Sequence, residues 1–217
     1  VNGSESSPIV RLYANGLLDP SFVANVESDR RVKSIDVQSD GKIIVGGTFR
    51  EVGGNLNADY IARINPNGAL DPSLTANVSF NNDVTSVESL PDNRILVGGD
   101  FTIVASGGTD YSRDGIVILH ENGSVDSSFN FSSDIPASQV ERVRRLKDGK
   151  FIAVFNSYSS SITSNNSIYR GVLLLNEDGS VDDSFDFLMS TGSFFTWDVE
   201  IAPDNNVFLV GKSMVNG

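Results

Sequence analysis

The sequence predicts an all-β protein, a β-propeller built of four repeats of about 52–56 residues. Three observations predict it. The stretch DGKIIVGGTF, from Asp40, returns as DNRILVGGDF from Asp92, and in eroded form as DGKFIAVFNS from Asp148 and DNNVFLVGKS from Asp204. The leading Asp residues are 52, 56 and 56 apart. An Asn-Gly or Asp-Gly pair recurs at 15, 67, 122 and 178, inside units such as INPNGALDPSL and LNEDGSVDDSF. An alternating segment precedes each copy of the first stretch: RVKSIDV, DVTSVES, QVERVRR and FTWDVEI. A fixed period of this size is the mark of a repeat array, and alternation is the mark of strands with two different faces.

Taken in order, residues 1–8 read as a loop and residues 9–13 as a short strand ending at Asn15-Gly16. Asn-Gly and Asp-Gly tolerate positive φ, so each such pair predicts a type I′ hairpin tip. A linker leads to the alternating strand, then to the apolar run that ends in a Gly pair in two copies. A long polar connector and another apolar strand complete the period. Each period thus holds about four short antiparallel strands, one propeller blade. The single domain divides into repeats at approximately 1–51, 52–104, 105–159 and 160–217. The outer strand pair comes first and the inner pair last. This suits either a closed four-bladed ring, with both chain ends joined in one blade, or a slice of a larger propeller. The chain does not begin with Met and reads as a processed chain or a fragment of a longer protein. Ile35, Val87, Val143 and Val199 share one register and are expected to lie buried between blades.

Composition bounds the function. The formal net charge of −12 repels nucleic acid and anionic lipid, so neither is an expected partner. No apolar run is long enough to insert in a bilayer. The absence of Cys excludes thiolate chemistry, disulfides and cysteine zinc sites.

RINPNGALDPSL, VQSDGKIIVGGTF and LPDNRILVGGDF resemble the delta-60 repeat, a β-propeller repeat of bacterial surface and secreted proteins also found in phage-encoded ones. The resemblance is strong in the first two repeats and weaker after Lys150, where Val154-Phe155 stands in place of the Gly pair. It implies a propeller fold and carries no catalytic residues.

The single His120 takes the place of Asn65 and Asn176 in other repeats, which favours a structural role over a triad or zinc site. Asp19, Asp71, Asp126 and Asp182 follow the Gly turns, each with a Ser two residues on. Their recurrence points to backbone hydrogen bonding. Calcium is the sharper alternative, but the spacing matches no EF-hand loop, and the expectation is no cofactor. On the innermost strand, Asp36, Glu88, Arg144 and Glu200 share one register and are the candidate lining of a central channel. The tight turns fall at one end of the strands. The connectors 50–60, 102–115 and 156–169 fall at the other. Tyr60, Tyr111, Tyr158 and Tyr169 lie in or beside those connectors, with Asp110 and Asn156 as polar neighbours, and these six are the candidate partner-binding residues. The segment 157–167 is low in complexity and expected to be mobile.

The sialidase motif Ser-x-Asp-x-Gly-x-Thr-Trp is absent, and Trp197 is the only Trp. The expected function is non-enzymatic: adhesion, recognition or assembly on an exported or virion surface. The partner would be a protein or surface glycan, or other parts of the same chain or complex. The alternatives are a structural subunit of a phage tail or fibre and a glycan-binding propeller.

Overall fold

Eight turns of one kind set the strand ends. In the first inner turn Gln38 N donates to Lys42 O (2.8 Å) and Gly41 N donates to Gln38 O (2.9 Å). The same pair of bonds closes 13–17, 65–69, 90–94, 120–124, 146–150, 176–180 and 202–206. Only the fourth residue of each turn has positive φ; Asn93 (64°) and Asn205 (69°) take the place held elsewhere by Gly. Type I′ requires two such residues, so the expected type is corrected: these are three-residue loops in which a left-handed residue follows an ordinary turn. The Asp or Asn one position earlier explains the difference. Its side chain accepts the backbone N–H two residues on, as Asp40 Oδ1 does from Lys42 N (3.0 Å) and Asn67 Oδ1 from Ala69 N (3.0 Å). That bond fixes the residue without positive φ.

The computed structural model describes residues 7–27, 29–55, 57–132, 140–155, 162–164, 167–169, 171–185 and 193–214. In chain order its elements are β1 (Val32–Val37), β2 (Ile43–Gly47), β3 (Ile61–Ile64), β4 (Leu70–Asp71) and the single-turn helix α1 (Pro72–Thr75). Next come β5 (Val78–Phe80), β6 (Val84–Ser89), β7 (Ile95–Gly99), β8 (Ile103–Ser106), β9 (Thr109–Ser112) and β10 (Ile116–Leu119). The third repeat gives β11 (Val140–Arg145), β12 (Phe151–Phe155), β13 (Ile162–Ser164), β14 (Ser167–Tyr169) and β15 (Val172–Leu175). The last gives β16 (Ser193–Ile201) and β17 (Val207–Met214).

Four antiparallel sheets repeat along the chain: β1-β2-β3-β4, β6-β7-β10, β11-β12-β15 and β16-β17. Their leading strands β1, β6, β11 and β16 lie side by side in that order. The fourth strand of the second and third sheets is reduced to the bridges Leu119–Val125 and Leu175–Val181. Two smaller sheets, β5-β8-β9 and β13-β14, occupy connectors that the sequence reading takes as polar loops. Short apolar stretches such as Ile103-Val104 account for this, because Val104 pairs with Tyr111 and is fully buried. Within the segment 157–167, Ile162–Ser164 is strand β13 and Ser167 begins β14; residues 157–161, 165 and 166 lie outside the described residues.

Apolar packing runs between consecutive sheets. One cluster joins Ile44 and Ile61 to Val84 and Val87, a second joins Leu96 and Ile116 to Val140 and Val143, and a third joins Ile152 and Val172 to Val199. Each buried Val stabilises by roughly 1.5–3 kcal/mol. The Gly pair makes this close approach. A Cβ on Gly46 would stand 2.5 Å from Val84 Cγ1 and 3.1 Å from Val87 Cγ1. Val87, Val143 and Val199 are buried as their shared register predicts, whereas Ile35 is 51% exposed. The correction has a simple cause: among the described residues no sheet packs on that face of β1. Among the described residues the strands form no closed ring.

Each inner pair also carries a β-bulge. The register shifts between Val32 and Ser34, Val84 and Ser86, Val140 and Arg142, and Thr196 and Asp198. The extra residue is Lys33, Thr85, Glu141 or Trp197.

Candidate functional site

The recurrent Asp residues are braces. Asp71 Oδ1 accepts from Ser73 N (3.0 Å) and Ser73 Oγ (2.6 Å), and Oδ2 pairs with Arg63 Nε (2.9 Å) and Lys42 Nζ (3.1 Å). Asp126 does the same with Ser128 and Arg94, Asp182 with Ser184 and Lys150, and Asp19 with Ser21 and Arg11. The Lys150 hydrogen bond, then those of Ser184, hold the Asp182 carboxyl down at about 2. At Asp71 and Asp126 burial opposes, but the Ser and cation hydrogen bonds outweigh it and both lie below the usual carboxylate range. These carboxylates tie the outer turn of a sheet to its second or third strand. Each has both oxygens engaged by the protein's own donors.

The inner-strand polar groups reach from one leading strand to the next. Asp36 Oδ2 accepts from Ser89 N (2.6 Å) and Glu88 Oε2 from Arg145 N (3.0 Å), so each carboxylate reaches the backbone of the next leading strand. Ser34 Oγ accepts from Val87 N and Ser86 Oγ from Val143 N in the same way. Arg144 donates to Ser86 Oγ (3.2 Å), and Arg142 pairs with Asp198 (3.1 Å). Burial raises Glu88 above the ordinary carboxyl value, partly offset by the Arg145 N–H and Arg144. Glu200, at the same register on the last strand, is exposed. The ladder therefore joins neighbouring strands before it offers anything to a ligand.

The connector end differs. A cleft of about 380 Å³ opens beside the first bulge, lined by Asp29, Arg30, Arg31, Lys33, Thr48, Arg50, Tyr60 and Asp83. Four cations thus face two carboxylates in a chain of net charge −12. Lys33 pairs with Asp83 (2.9 Å) and Arg30 with Glu27 (3.5 Å). The exposed Arg31 is held through its backbone, its N donating to Thr48 Oγ1 (2.9 Å) and its O accepting from Thr48 N (2.8 Å). Among the described residues its guanidinium has no ion-pair partner.

Tyr60 sits at φ 68°, a left-handed conformation costly for an aromatic residue. Its carbonyl accepts from Gly47 N, the role that Gly115 and Gly171 fill for Gly99 and Phe155, and both of those glycines also have positive φ. The first repeat thus places a Tyr where the others use Gly. Its ring is buried, and its hydroxyl accepts from Arg50 Nη2 (2.5 Å) and Nε (3.2 Å), orienting that guanidinium along the cleft wall.

The candidate tyrosines separate accordingly. Tyr60 supports a cleft residue and is not itself an exposed anchor. Tyr111 is half-buried on β9, packed against the core, with the Arg113 guanidinium 5.5 Å over its ring. It therefore lies within connector 102–115 but on a strand; Asp110 beside it is exposed. Tyr169 lies in β14 opposite Ile162. Tyr158 and Asn156 lie outside the described residues. The cluster of Arg30, Arg31, Lys33 and Arg50 escapes sequence reading, because its members come from a linker, a bulge and a connector. The signal available was Arg30-Arg31 in an acidic chain.

The model of a β-propeller domain of unknown function, DUF5122, matches residues 38–74 and 90–129. The fold is of the β-propeller type. Both matched stretches precede Lys150, where the Gly pair persists. A catalytically inactive virginiamycin B lyase from Staphylococcus aureus, solved with quinupristin, is similar at TM-score 0.50 and 12% identity over 86% of this chain and 52% of that one. A protein of unknown function from Bacteroides caccae is similar at TM-score 0.48 and 15% identity over 84% of this chain and 54% of that one. The chain therefore spans about half the length of each. No curated protein matches.

Proposed function

We propose that this chain is a non-enzymatic recognition module of an exported or virion surface protein, built of delta-60-type repeats, that binds an anionic group at its connector end. The observation that carries this reading is the cleft between Arg31, Lys33 and Arg50, with Arg31 unpaired among the described residues and Arg50 oriented by a strained Tyr60. Guanidinium forks recognise carboxylates by two parallel hydrogen bonds, and a local excess of cations concentrates acidic ligands. The ligand class is an acidic surface glycan, such as one bearing uronic or sialic acid carboxylates. The turn end supports the division of labour, since its Asn, Asp and Gly residues are committed to the loop backbone.

The test is an acidic-glycan binding screen followed by titration of the best ligand. Binding should weaken as salt rises, fall at least tenfold in Arg31→Glu, and stay unchanged in Glu121→Ala at the turn end. Equal affinity in Arg31→Glu and the unaltered chain would remove the cleft from the account.

A further inference from the structure

A second cleft, of about 560 Å³, opens between the connector of the first repeat and the small sheet β5-β8-β9 of the second. That volume is in the range of small-molecule sites. Its walls include Asn57 and Asp59 from the connector, Asn77, Val78 and Ser79 at the start of β5, and the hairpin tip Gly107-Gly108. The tip is a two-residue turn with both glycines at positive φ (58° and 81°), so the rim there is bare backbone. The two clefts are neighbours. Asp59 lines this one, and Tyr60, the next residue, lines the cationic one. Arg50 is held charged first by its hydrogen bonds to Tyr60 and further by the field of Asp59.

Several polar groups in these walls are free. Gly107 N donates to Asn77 O and Asn81 N to Ile103 O, so residues 77, 79 and 81 turn their peptide groups toward β8. The N–H and C=O of Val78 therefore point away from β8, and among the described residues neither has a partner. A buried peptide group ordinarily has one. The Val78 side chain is buried in the core, which leaves the backbone to meet the cleft. Asn77 Nδ2 donates to Asn122 O (2.9 Å) and Ser73 O (3.2 Å), leaving its Oδ1 as an acceptor. Among the described residues Asp59 makes no ion pair and Ser79 Oγ no hydrogen bond. Asp59 is also the one charged residue of the described walls.

We infer that this cleft is a second binding site, for a neutral sugar residue, adjoining the cationic cleft. A sugar hydroxyl both donates and accepts, and the walls meet both needs. The Asp59 carboxylate and Asn77 Oδ1 accept, the Val78 N–H donates, and the Asn57 amide and Ser79 hydroxyl do both. An anion would meet Asp59 with no cation in the walls to offset it. A divalent cation needs several oxygen ligands of its own charge type, and one carboxylate is present. An apolar ligand would leave the Val78 peptide unpaired and desolvated. Taken together the two clefts fit an oligosaccharide that alternates an acidic with a neutral residue. That pairing rests on the acidic-glycan reading above; the neutral-sugar site does not.

The test is an amide NMR titration of the chain with glucose, galactose and N-acetylglucosamine, each to about 50 mM, above the millimolar Kd of a single weak subsite. At least one sugar should shift the amides of Val78, Ser79 and Gly107. Asn57→Ala and Asp59→Ala should each weaken that binding about fivefold through lost hydrogen bonds. Asn57 is exposed and Asp59 half-buried, so both variants should keep the fold, seen as an unchanged spectrum away from the cleft. No shift at Val78 and Ser79 with any of the three sugars, or equal binding in both variants, would overturn the site. The joined clefts are tested with a tetrasaccharide alternating glucuronic acid and N-acetylglucosamine, beside a galacturonic acid tetramer. Asp59→Ala should weaken the first about fivefold and leave or tighten the second, because it removes a carboxylate that acts on Arg50. Equal losses for both would overturn the pairing of the clefts. Arg31→Glu should weaken both. If it weakens neither while a neutral sugar still shifts Val78, the cationic reading fails and the neutral site stands.

Discussion

At the scale of single residues, glycine carries two separate duties here. Gly16 (φ +82°) and Gly68 (φ +91°) occupy the same place in equivalent turns. A Cβ on Gly16 would meet nothing within 4 Å, but a Cβ on Gly68 would collide with the backbone of Val23 and Ala24. Gly16→Ala should therefore cost only the left-handed strain, about 1 kcal/mol. Gly68→Ala adds a steric clash and should lose roughly 2–4 kcal/mol. Urea denaturation of the two variants measures the difference. The sequence pattern announced the positive φ at both positions but not the collision, which depends on a linker about 45 residues away. Tyr60 is the sharper case. Nothing in its neighbours marks a left-handed aromatic residue, and only alignment with Gly115 and Gly171 in space reveals it.

At the scale of elements, the ion pairs between the outer turns and the second or third strands predict a defined acid response. Asp71, Asp126 and Asp182 have carboxyls lowered by folding. A lowered acid contributes stability that is complete above its unfolded value and is lost as pH falls through its folded value. For Asp182 that window runs from the ordinary 3.8 down to about 2. Denaturation midpoints should hold between pH 7 and 5 and drop steeply below 4. Asp126→Asn should be destabilised at pH 7, with the gap to the unaltered chain closing as pH falls through the lowered Asp126 carboxyl range. A constant gap would show that the charge is not what matters at that turn. The repetition of Asp-x-Ser after each Gly turn made the structural role of these residues readable from sequence. Their cationic partners were not readable, because Lys42, Arg94 and Lys150 come from another strand, and in the first unit the partner is Arg11. The connectors were read least well. Their polar composition hid β5, β8 and β9, whose pairing is set by a few apolar residues on one face.

At the scale of the molecule, repeat arrays are stabilised by neighbour contacts, so a terminal unit with one neighbour is the weakest. Among the described residues the sheet β16-β17 has one packed face and an unpaired edge, whereas β6-β7-β10 is covered on both faces. In dilute solution, amides of β16 and β17 should exchange at least tenfold faster than those of β6 and β7. The period and, except at Ile35, the packing register were legible because hydrophobic alternation and turn spacing are local signals. Whether the array closes was not, because that depends on the curvature accumulated over many interfaces.

The four bulges have an evolutionary consequence. Their extra residues are a lysine, a threonine, a glutamate and a tryptophan, four chemistries at one geometric address. The extra residue stands outside the strict pairing of the ladder, and its surroundings decide how freely it can change. Thr85 is buried, its hydroxyl bonded to Gly98 O and Val140 O, and is held by packing; at the half-exposed Trp197 mutation can be tried out at small cost to folding, and selection then sees chiefly what the residue displays. In the first repeat that displayed residue is Lys33, on the wall of the cationic cleft.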